Sequence, residues 1–126
     1  MKFVATEGAP RAIGPYSQAV VEAGFLFASG QVPLDPATGK LVEGDLEGSA
    51  ERVFDNLEAI LTQAGLGFAD VVKTTVFLTR ADDFTPLNAV YARRFGTHRP
   101  ARSTVIVAAL PAGAPLEIDL IARVAG

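Results

Sequence analysis

The order of strand-type and helix-type segments is the feature of this sequence that most constrains its fold. Runs rich in β-branched residues alternate with two segments whose apolar residues recur at helical spacing, giving the order β-β-β-α-β-α-β-β. No linker, repeat or low-complexity segment interrupts this order, and a chain of 126 residues suits one compact domain over residues 1–126. The sequence therefore predicts an α+β fold with a six-stranded mixed sheet and two helices.

Both predicted helices carry recognisable end signals. Asp45 is suited to cap the start of a helix from Leu46 to Ala64, and Gly65 is suited to end it. Pro86 lies near the first turn of the second helix. The apolar stripes of the two helices are Val53, Phe54, Leu57, Ile60, Leu61 and Ala64, and Leu87, Val90, Tyr91 and Phe95.

The strands are predicted from their composition and from the turns between them. Ala23-Gly24 indicates a tight turn, and the strand–helix–strand order around the first helix predicts a right-handed crossover between parallel neighbours. The late strand that Arg102 opens is apolar enough to be buried. The predicted strands are Lys2–Val4, Ser17–Glu22, Phe25–Ser29 with an extension over Gln31–Leu34, Val71–Leu78, Arg102–Leu110 and Leu116–Val124.

Two helices cannot cover both faces of a sheet of this size, so the second face needs another partner. If the helices share one face, the strands Val71–Leu78 and Arg102–Leu110 are too apolar to leave the other face in water. We therefore expect a homo-oligomer in which the bare sheet faces meet, with sites at the subunit boundaries.

Composition excludes several classes of chemistry. The 11 basic and 14 acidic side chains give a net charge of −3, which argues against a nucleic-acid partner. The absence of cysteine excludes thiol catalysis and thiolate metal sites, and the single histidine, His98, is expected to be a solvated loop residue, so no metal site is predicted. No leader-like segment or membrane-length apolar run is present, so a cytoplasmic protein without a membrane partner is expected.

Arg102 is the first candidate functional residue. A cation at the mouth of an apolar strand implies an anion nearby, and a planar guanidinium fits a carboxylate with two parallel hydrogen bonds. Glu117 and Asp119 share one face of the last strand, and either could pair with Arg102 structurally. The carboxylate of a small substrate is the alternative partner, and composition alone leaves this choice open.

Two glycine-containing segments are candidate pocket walls. Tyr16 lies beside the rigid Gly14-Pro15 turn, and Ser29-Gly30 lies at a strand end. Turn chemistry explains both, but glycine also permits close approach of a ligand to the backbone, and tyrosine offers an apolar body with a polar tip. In the second helix, Asn88 is expected to be solvated, as are the charges of Arg93 and Arg94.

These motifs, taken in order, resemble the RidA family of reactive enamine and imine deaminases. The resemblance spans essentially the whole chain. It implies a chorismate-mutase-like α+β fold and a homotrimer whose sheets form a central barrel, with an active site in each cleft between subunits. The residues that carry it are Gly14-Pro15-Tyr16-Ser17-Gln18-Ala19, Ser29-Gly30-Gln31-Val32-Pro33-Leu34-Asp35-Pro36, Asn56-Leu57, Asn88, Tyr91, Pro100-Ala101-Arg102-Ser103-Thr104 and Leu116-Glu117-Ile118.

The resemblance also implies an activity that needs no cofactor: hydrolysis of 2-aminoacrylate, 2-aminocrotonate and their 2-imino acid tautomers to 2-oxo acids and ammonia. By position, Arg102 would bind the substrate carboxylate and Glu117 would position the attacking water. The backbone at Thr104 would help to hold the ligand, although many relatives have cysteine there. The residues expected to line the cleft are Tyr16, Ser29, Gly30 and Asn88.

Two other functions remain open for a chain of this kind. The same clefts could bind a 2-oxo acid as a sensor without turnover, a role that needs the arginine but not Glu117. Some relatives are described as translation inhibitors or ribonucleases, and the acidic balance argues against that role here.

Overall fold

A computed structural model describes residues 1–124 of the chain as one six-stranded mixed sheet with two α-helices. The strand order is β1-β2-β3-β6-β4-β5, and every neighbouring pair is antiparallel except β4 and β5. This confirms the predicted fold class. The elements are β1 (Lys2–Val4), β2 (Ala19–Glu22), β3 (Phe25–Gln31), α1 (Leu46–Gln63), β4 (Val71–Leu78), α2 (Phe84–Phe95), β5 (Ala101–Ile106) and β6 (Leu116–Arg123).

Both helices pack on the same face of the sheet and form the core with it. In β6 the residues Leu116, Ile118, Leu120 and Ala122 are buried, while the residues between them point to the opposite face. The predicted apolar stripes of α1 and α2 supply the other half of the core, with the ring of Phe54 fully buried at its centre. Within residues 1–124, neither helix is long and apolar enough to cross a membrane.

The ends of α1 confirm the end signals of the sequence. The Asp45 side chain accepts a hydrogen bond from the Gly48 amide at 2.8 Å, which satisfies one of the free donors of the first turn. At the other end Gly65 has a φ of +76°, and the amides of Gly65 and Leu66 donate to the carbonyls of Thr62 and Leu61 at 2.9 and 2.8 Å. This pairing is a Schellman motif, which favours glycine because the left-handed conformation is costly for other residues.

The predicted crossover around α1 is wrong in one respect. β3 and β4 run in the same direction, but β6 lies between them and pairs with both. The neighbouring parallel pair is β4–β5, which α2 connects. The C-terminal strand inserts into the middle of the sheet, and this long-range pairing leaves no local signal in the sequence.

The predicted burial of the Arg102–Leu110 strand is also wrong for the single chain. β5 ends at Ile106 and forms an edge of the sheet, where its residues are exposed or half-buried. Val105 and Ile106 expose 41% and 51% of their surface, so apolar composition here does not reflect burial within one subunit.

The sheet face opposite the helices carries an exposed apolar row. Phe3, Val20, Phe27 and Ile121 are cross-strand partners on four neighbouring strands, and Phe3 and Phe27 remain 68% and 42% exposed. A contiguous row of this kind is unusual on the surface of a protein that acts alone. We call these four residues the bare-face row.

Arg94 has a structural role that the sequence did not predict. It is not a free surface charge, because it binds Glu51 at 2.8 Å and Asp55 at 3.0 Å and lies over the rings of Phe54 and Phe68. Its hydrogen bond lowers the pKa of Glu51. Arg93 is an exposed charge, as predicted.

His98 is likewise not a solvated loop residue. Its Nε2 lies 2.6 Å from the carbonyl oxygen of Val71 and its ring lies beside Phe95. Because a carbonyl only accepts, this contact places a proton on Nε2 and ties the loop before β5 to the start of β4.

Candidate active site

Arg102 lies on the helix-covered side of the sheet, at its β5 edge. It is the register partner of the buried Thr74 on β4, and parallel partners point to the same face. Its Nη1 donates to Oδ1 of Asn88 at 2.8 Å, and the guanidinium carbon lies 4.7 Å from the ring centroid of Tyr91 and 5.5 Å from that of Phe84. Three side chains of α2 therefore hold this guanidinium.

Neither carboxylate proposed from the sequence pairs with Arg102. Glu117 and Asp119 alternate with the buried Ile118 along β6, so they point to the bare face, away from α2. In the part of the chain that the structure describes, no ion pair includes Arg102. The structural salt-bridge interpretation is therefore wrong within one subunit, and the guanidinium retains donors for a carboxylate from outside it.

Asn88 is not the solvated helix residue that its position off the apolar stripe suggested. It is half-buried, and its side-chain oxygen accepts the hydrogen bond from Arg102. This bond holds one nitrogen of the guanidinium, and it is the one side-chain hydrogen bond that this guanidinium makes within residues 1–124.

Gly30 and Glu117 form the second part of the site, on the bare face. β3 has a bulge between Ala28 and Gln31, where it pairs with β6, and this bulge brings Gly30 against the Glu117 carboxylate. A Cβ at Gly30 would overlap that carboxylate, so glycine is required here by close approach. Burial, followed by the charge of Asp119, raises the pKa of Glu117. The carboxylate is thus suited to accept and return a proton.

Ser29 and Tyr16 have local hydrogen bonds that stabilise the segments around them. The Ser29 hydroxyl donates to the Ser17 carbonyl at 2.6 Å, which leaves its oxygen free to accept. The Tyr16 hydroxyl accepts from the Ile13 amide at 3.2 Å, while the side chain remains 51% exposed. Turn chemistry therefore accounts for the local geometry of both residues and leaves an acceptor or a ring available to a ligand.

Tyr16 also lines a cleft of about 890 Å³ between the N-terminal segment and the loop after β3. Phe3, Pro10, Leu34 and Pro36 contribute to its walls, but neither Arg102 nor Glu117 does. The cleft is therefore separate from both charged groups of the candidate site within one chain.

Thr104 lies near Arg102, in the first part of the candidate site. It follows Arg102 by two residues on β5, faces the same side and is half-buried beside Val76. The seven predicted residues thus fall into three groups. Arg102, Asn88 and Thr104 lie at the β5 edge beside α2, and Glu117 and Gly30 meet on the opposite face of the sheet. Tyr16 and Ser29 lie in the segments that their own hydrogen bonds stabilise.

Two residues in this region were not predicted as site residues. Tyr91 was assigned to the apolar stripe of α2 and to the family motifs but was given no role in the site, and Phe84 was not singled out. Positions 84, 88 and 91 are separated by four and three residues, so they share one face of a helix. That spacing around Asn88 is the signal that could have identified them.

Comparison with known proteins identifies the family of this chain. Residues 6–124 match the family model described as Endoribonuclease L-PSP. The chain is 43% identical over 121 residues to the human 2-iminobutanoate/2-iminopropanoate deaminase. The alignment covers 96% of this chain and 88% of the human protein.

Solved structures give the same result. RidA from an Antarctic Psychrobacter species superposes with a TM-score of 0.94 at 43% identity, over 98% of this chain and 100% of that one. E. coli TdcF with bound serine superposes with a TM-score of 0.93 at 40% identity, over 99% and 100% of the two chains. Since the match covers nearly the whole chain in both sequence and structure, the protein belongs to the RidA family, within the group described as Endoribonuclease L-PSP.

Proposed function

We propose that this protein hydrolyses short-chain 2-imino acids and their enamine tautomers to 2-oxo acids and ammonia. The observation that carries the proposal is the pair of charged groups without mutual contact. The Arg102 guanidinium is held by α2 with donors to spare, and the Glu117 carboxylate, with a raised pKa, lies in the space that Gly30 leaves open. The deaminase name of the human relative supports the same reaction.

A complete site requires two copies of the chain. Arg102 and Glu117 lie on opposite faces of one sheet, so one substrate cannot contact both in a single subunit. Burial of the bare-face row against other copies would bring the β5 edge of one subunit to the bare face of the next. We propose a homotrimer with a central barrel of sheets, in which each cleft takes Arg102, Asn88 and Thr104 from one subunit and Gly30 and Glu117 from its neighbour.

The chemistry follows from these groups. Arg102 binds the substrate carboxylate with two parallel hydrogen bonds, which places the imine carbon near Glu117. Glu117 takes a proton from a water molecule as the water oxygen bonds to the imine carbon, and it passes that proton to the imine nitrogen, which gives a neutral carbinolamine. Glu117 then transfers the hydroxyl proton of the carbinolamine to the same nitrogen, the C–N bond breaks, and ammonia leaves as the carbonyl forms. An enamine first tautomerises to the imine.

Thr104 constrains this mechanism. The chain has no cysteine, so no thiol is available at this position or elsewhere in the site. The steps above use a carboxylate, a guanidinium and water, so they need no thiol. Thr104 contributes through its backbone at the edge of the cleft.

A second candidate is a binding protein without turnover. The solved structure of TdcF contains serine, an amino acid and not an imine, which favours recognition of a small amino-acid-like ligand in this family. Such a role needs Arg102 to bind the ligand carboxylate, but it does not need the Glu117 carboxylate with its raised pKa. The presence of Glu117 and Gly30 therefore favours the enzyme.

A coupled assay tests the proposed activity. A threonine dehydratase generates the imine in place, and release of 2-oxobutanoate is followed with and without this protein. We expect faster release with wild-type protein and with Arg93→Ala, a control that removes an exposed arginine outside the site. An unchanged rate, together with calorimetric binding of 2-oxobutanoate, would contradict the enzyme and favour the binding protein.

A further inference from the structure

One face of α2 is built around the Arg102 guanidinium. Phe84, Asn88 and Tyr91 lie on successive turns of that face. Asn88 binds one nitrogen, while the rings of Tyr91 and Phe84 lie 4.7 and 5.5 Å from the guanidinium carbon. These distances fall within the range in which the face of an aromatic ring attracts a cation.

The Tyr91 ring is itself held in place. Its hydroxyl lies 2.8 Å from Oγ1 of Thr74, a fully buried residue and the register partner of Arg102 on β4. The rings of Phe54 and Phe95 pack against it, with centroids 5.8 and 4.6 Å away. Thr74, Tyr91 and Arg102 therefore form a connected series from the core to the edge of the sheet.

The electrostatics of this series suit a platform under the guanidinium. Burial raises the pKa of the Tyr91 hydroxyl, so the phenol stays neutral and does not form an ion pair with Arg102. A neutral ring attracts the guanidinium through its face and leaves the N–H donors at the guanidinium edge unused. An edge-strand arginine without such support would sample many rotamers, and binding a carboxylate would then have to order it.

We propose that Tyr91 and Phe84 are positioning residues, whose rings orient Arg102 for a substrate carboxylate, and that Thr74 fixes the orientation of Tyr91. This inference rests on the proposed function, because it assigns Arg102 to carboxylate binding. The residues act through Arg102 and do not contact the reacting atoms. Their loss weakens binding more than it slows the chemical step.

Calorimetric binding of 2-oxobutanoate, with KM and kcat measured separately, tests the inference. We expect Tyr91→Leu to raise Kd and KM about five- to tenfold with kcat within about twofold, since one desolvated cation–π contact accounts for a change of that size. Tyr91→Phe keeps the ring but loses the hydroxyl contact to Thr74, so it restores most of the affinity without reaching the wild-type Kd. Phe84→Ala removes a ring that is 41% exposed, so it leaves folding intact and raises Kd about two- to threefold.

Val90→Ala is the control for packing. It removes part of a fully buried side chain from the same helix, and the guanidinium lies over Phe84 and Tyr91 and not over this position. Its Kd stays within about twofold of wild type if the two rings act through Arg102 and not through the packing of α2. Wild-type affinity in both Tyr91→Leu and Phe84→Ala would overturn the inference, as would equal losses in Tyr91→Leu and Val90→Ala.

The same measurements separate this inference from the proposed activity. Tyr91-dependent binding of 2-oxobutanoate by a protein that accelerates no deamination would contradict the activity and support the positioning role. Normal deamination with an affinity that is insensitive to both rings would do the reverse.

Discussion

Arg102→Ala is expected to lower kcat/KM for 2-iminobutanoate by several hundredfold or more while the oligomer remains intact. The guanidinium makes no ion pair within residues 1–124, so its removal leaves no unpaired carboxylate behind in the subunit. The loss is the pair of charge-assisted hydrogen bonds to the substrate, roughly 4 kcal/mol at about 2 kcal/mol each. Such a loss corresponds to a factor of about 10³.

Steady-state kinetics with dehydratase-generated imine measures this change, and size-exclusion chromatography reports the oligomer. Arg102→Lys is a useful comparison because an ammonium keeps the charge but cannot form the two parallel bonds. It should recover a minor part of the activity. Turnover by Arg102→Ala at the wild-type rate would show that the guanidinium does not bind the substrate.

Glu117→Gln is expected to lower kcat by about 10² to 10⁴, the usual contribution of a positioned general base, with little change in the Kd of 2-oxobutanoate. Glutamine keeps the shape of the side chain but cannot accept the proton from water. The pH profile carries the same information. The base acts deprotonated, so kcat falls as the pH falls through its pKa, and burial raises that pKa above that of an ordinary glutamate.

Glu117→Gln should remove this acidic limb of the profile. Gly30→Ala is a second test of the same carboxylate, because the added methyl group would overlap the Glu117 carboxylate and displace it. It should therefore reduce kcat as well, although no ionisable group changes. Loss of 2-oxobutanoate binding in Glu117→Gln, with a normal rate in the residual complex, would reassign Glu117 to structure.

Local signals predicted the helices well. The caps at Asp45 and Gly65 are hydrogen bonds between residues three to five positions apart in the chain. Both partners of each bond are therefore present in the local sequence. The position of β6 could not be predicted in this way, because its pairing with β3 and β4 joins residues far apart in the chain. The crossover prediction failed for that reason.

The sequence named candidate site residues but carried no information on their arrangement. The family motifs pointed to Arg102 and Glu117 as candidates, while only the sheet register shows that they occupy opposite faces. Arg94 and His98 were misjudged because their partners, Glu51 and the Val71 carbonyl, come from other elements. A charged or polar side chain in a sequence reveals its chemistry but not the direction from which a partner approaches.

Mixed oligomers test directly whether the site is divided between two subunits. Arg102→Ala and Glu117→Gln chains are refolded together in equal amounts, and deamination is compared with each variant alone. In a closed ring where every cleft takes Arg102 from one subunit and Glu117 from the next, about a quarter of the clefts in a random mixture contain both native residues. We expect recovery to about a quarter of the wild-type activity from two nearly inactive variants. A mixture no more active than the separate variants would place both residues in one subunit and contradict a divided site.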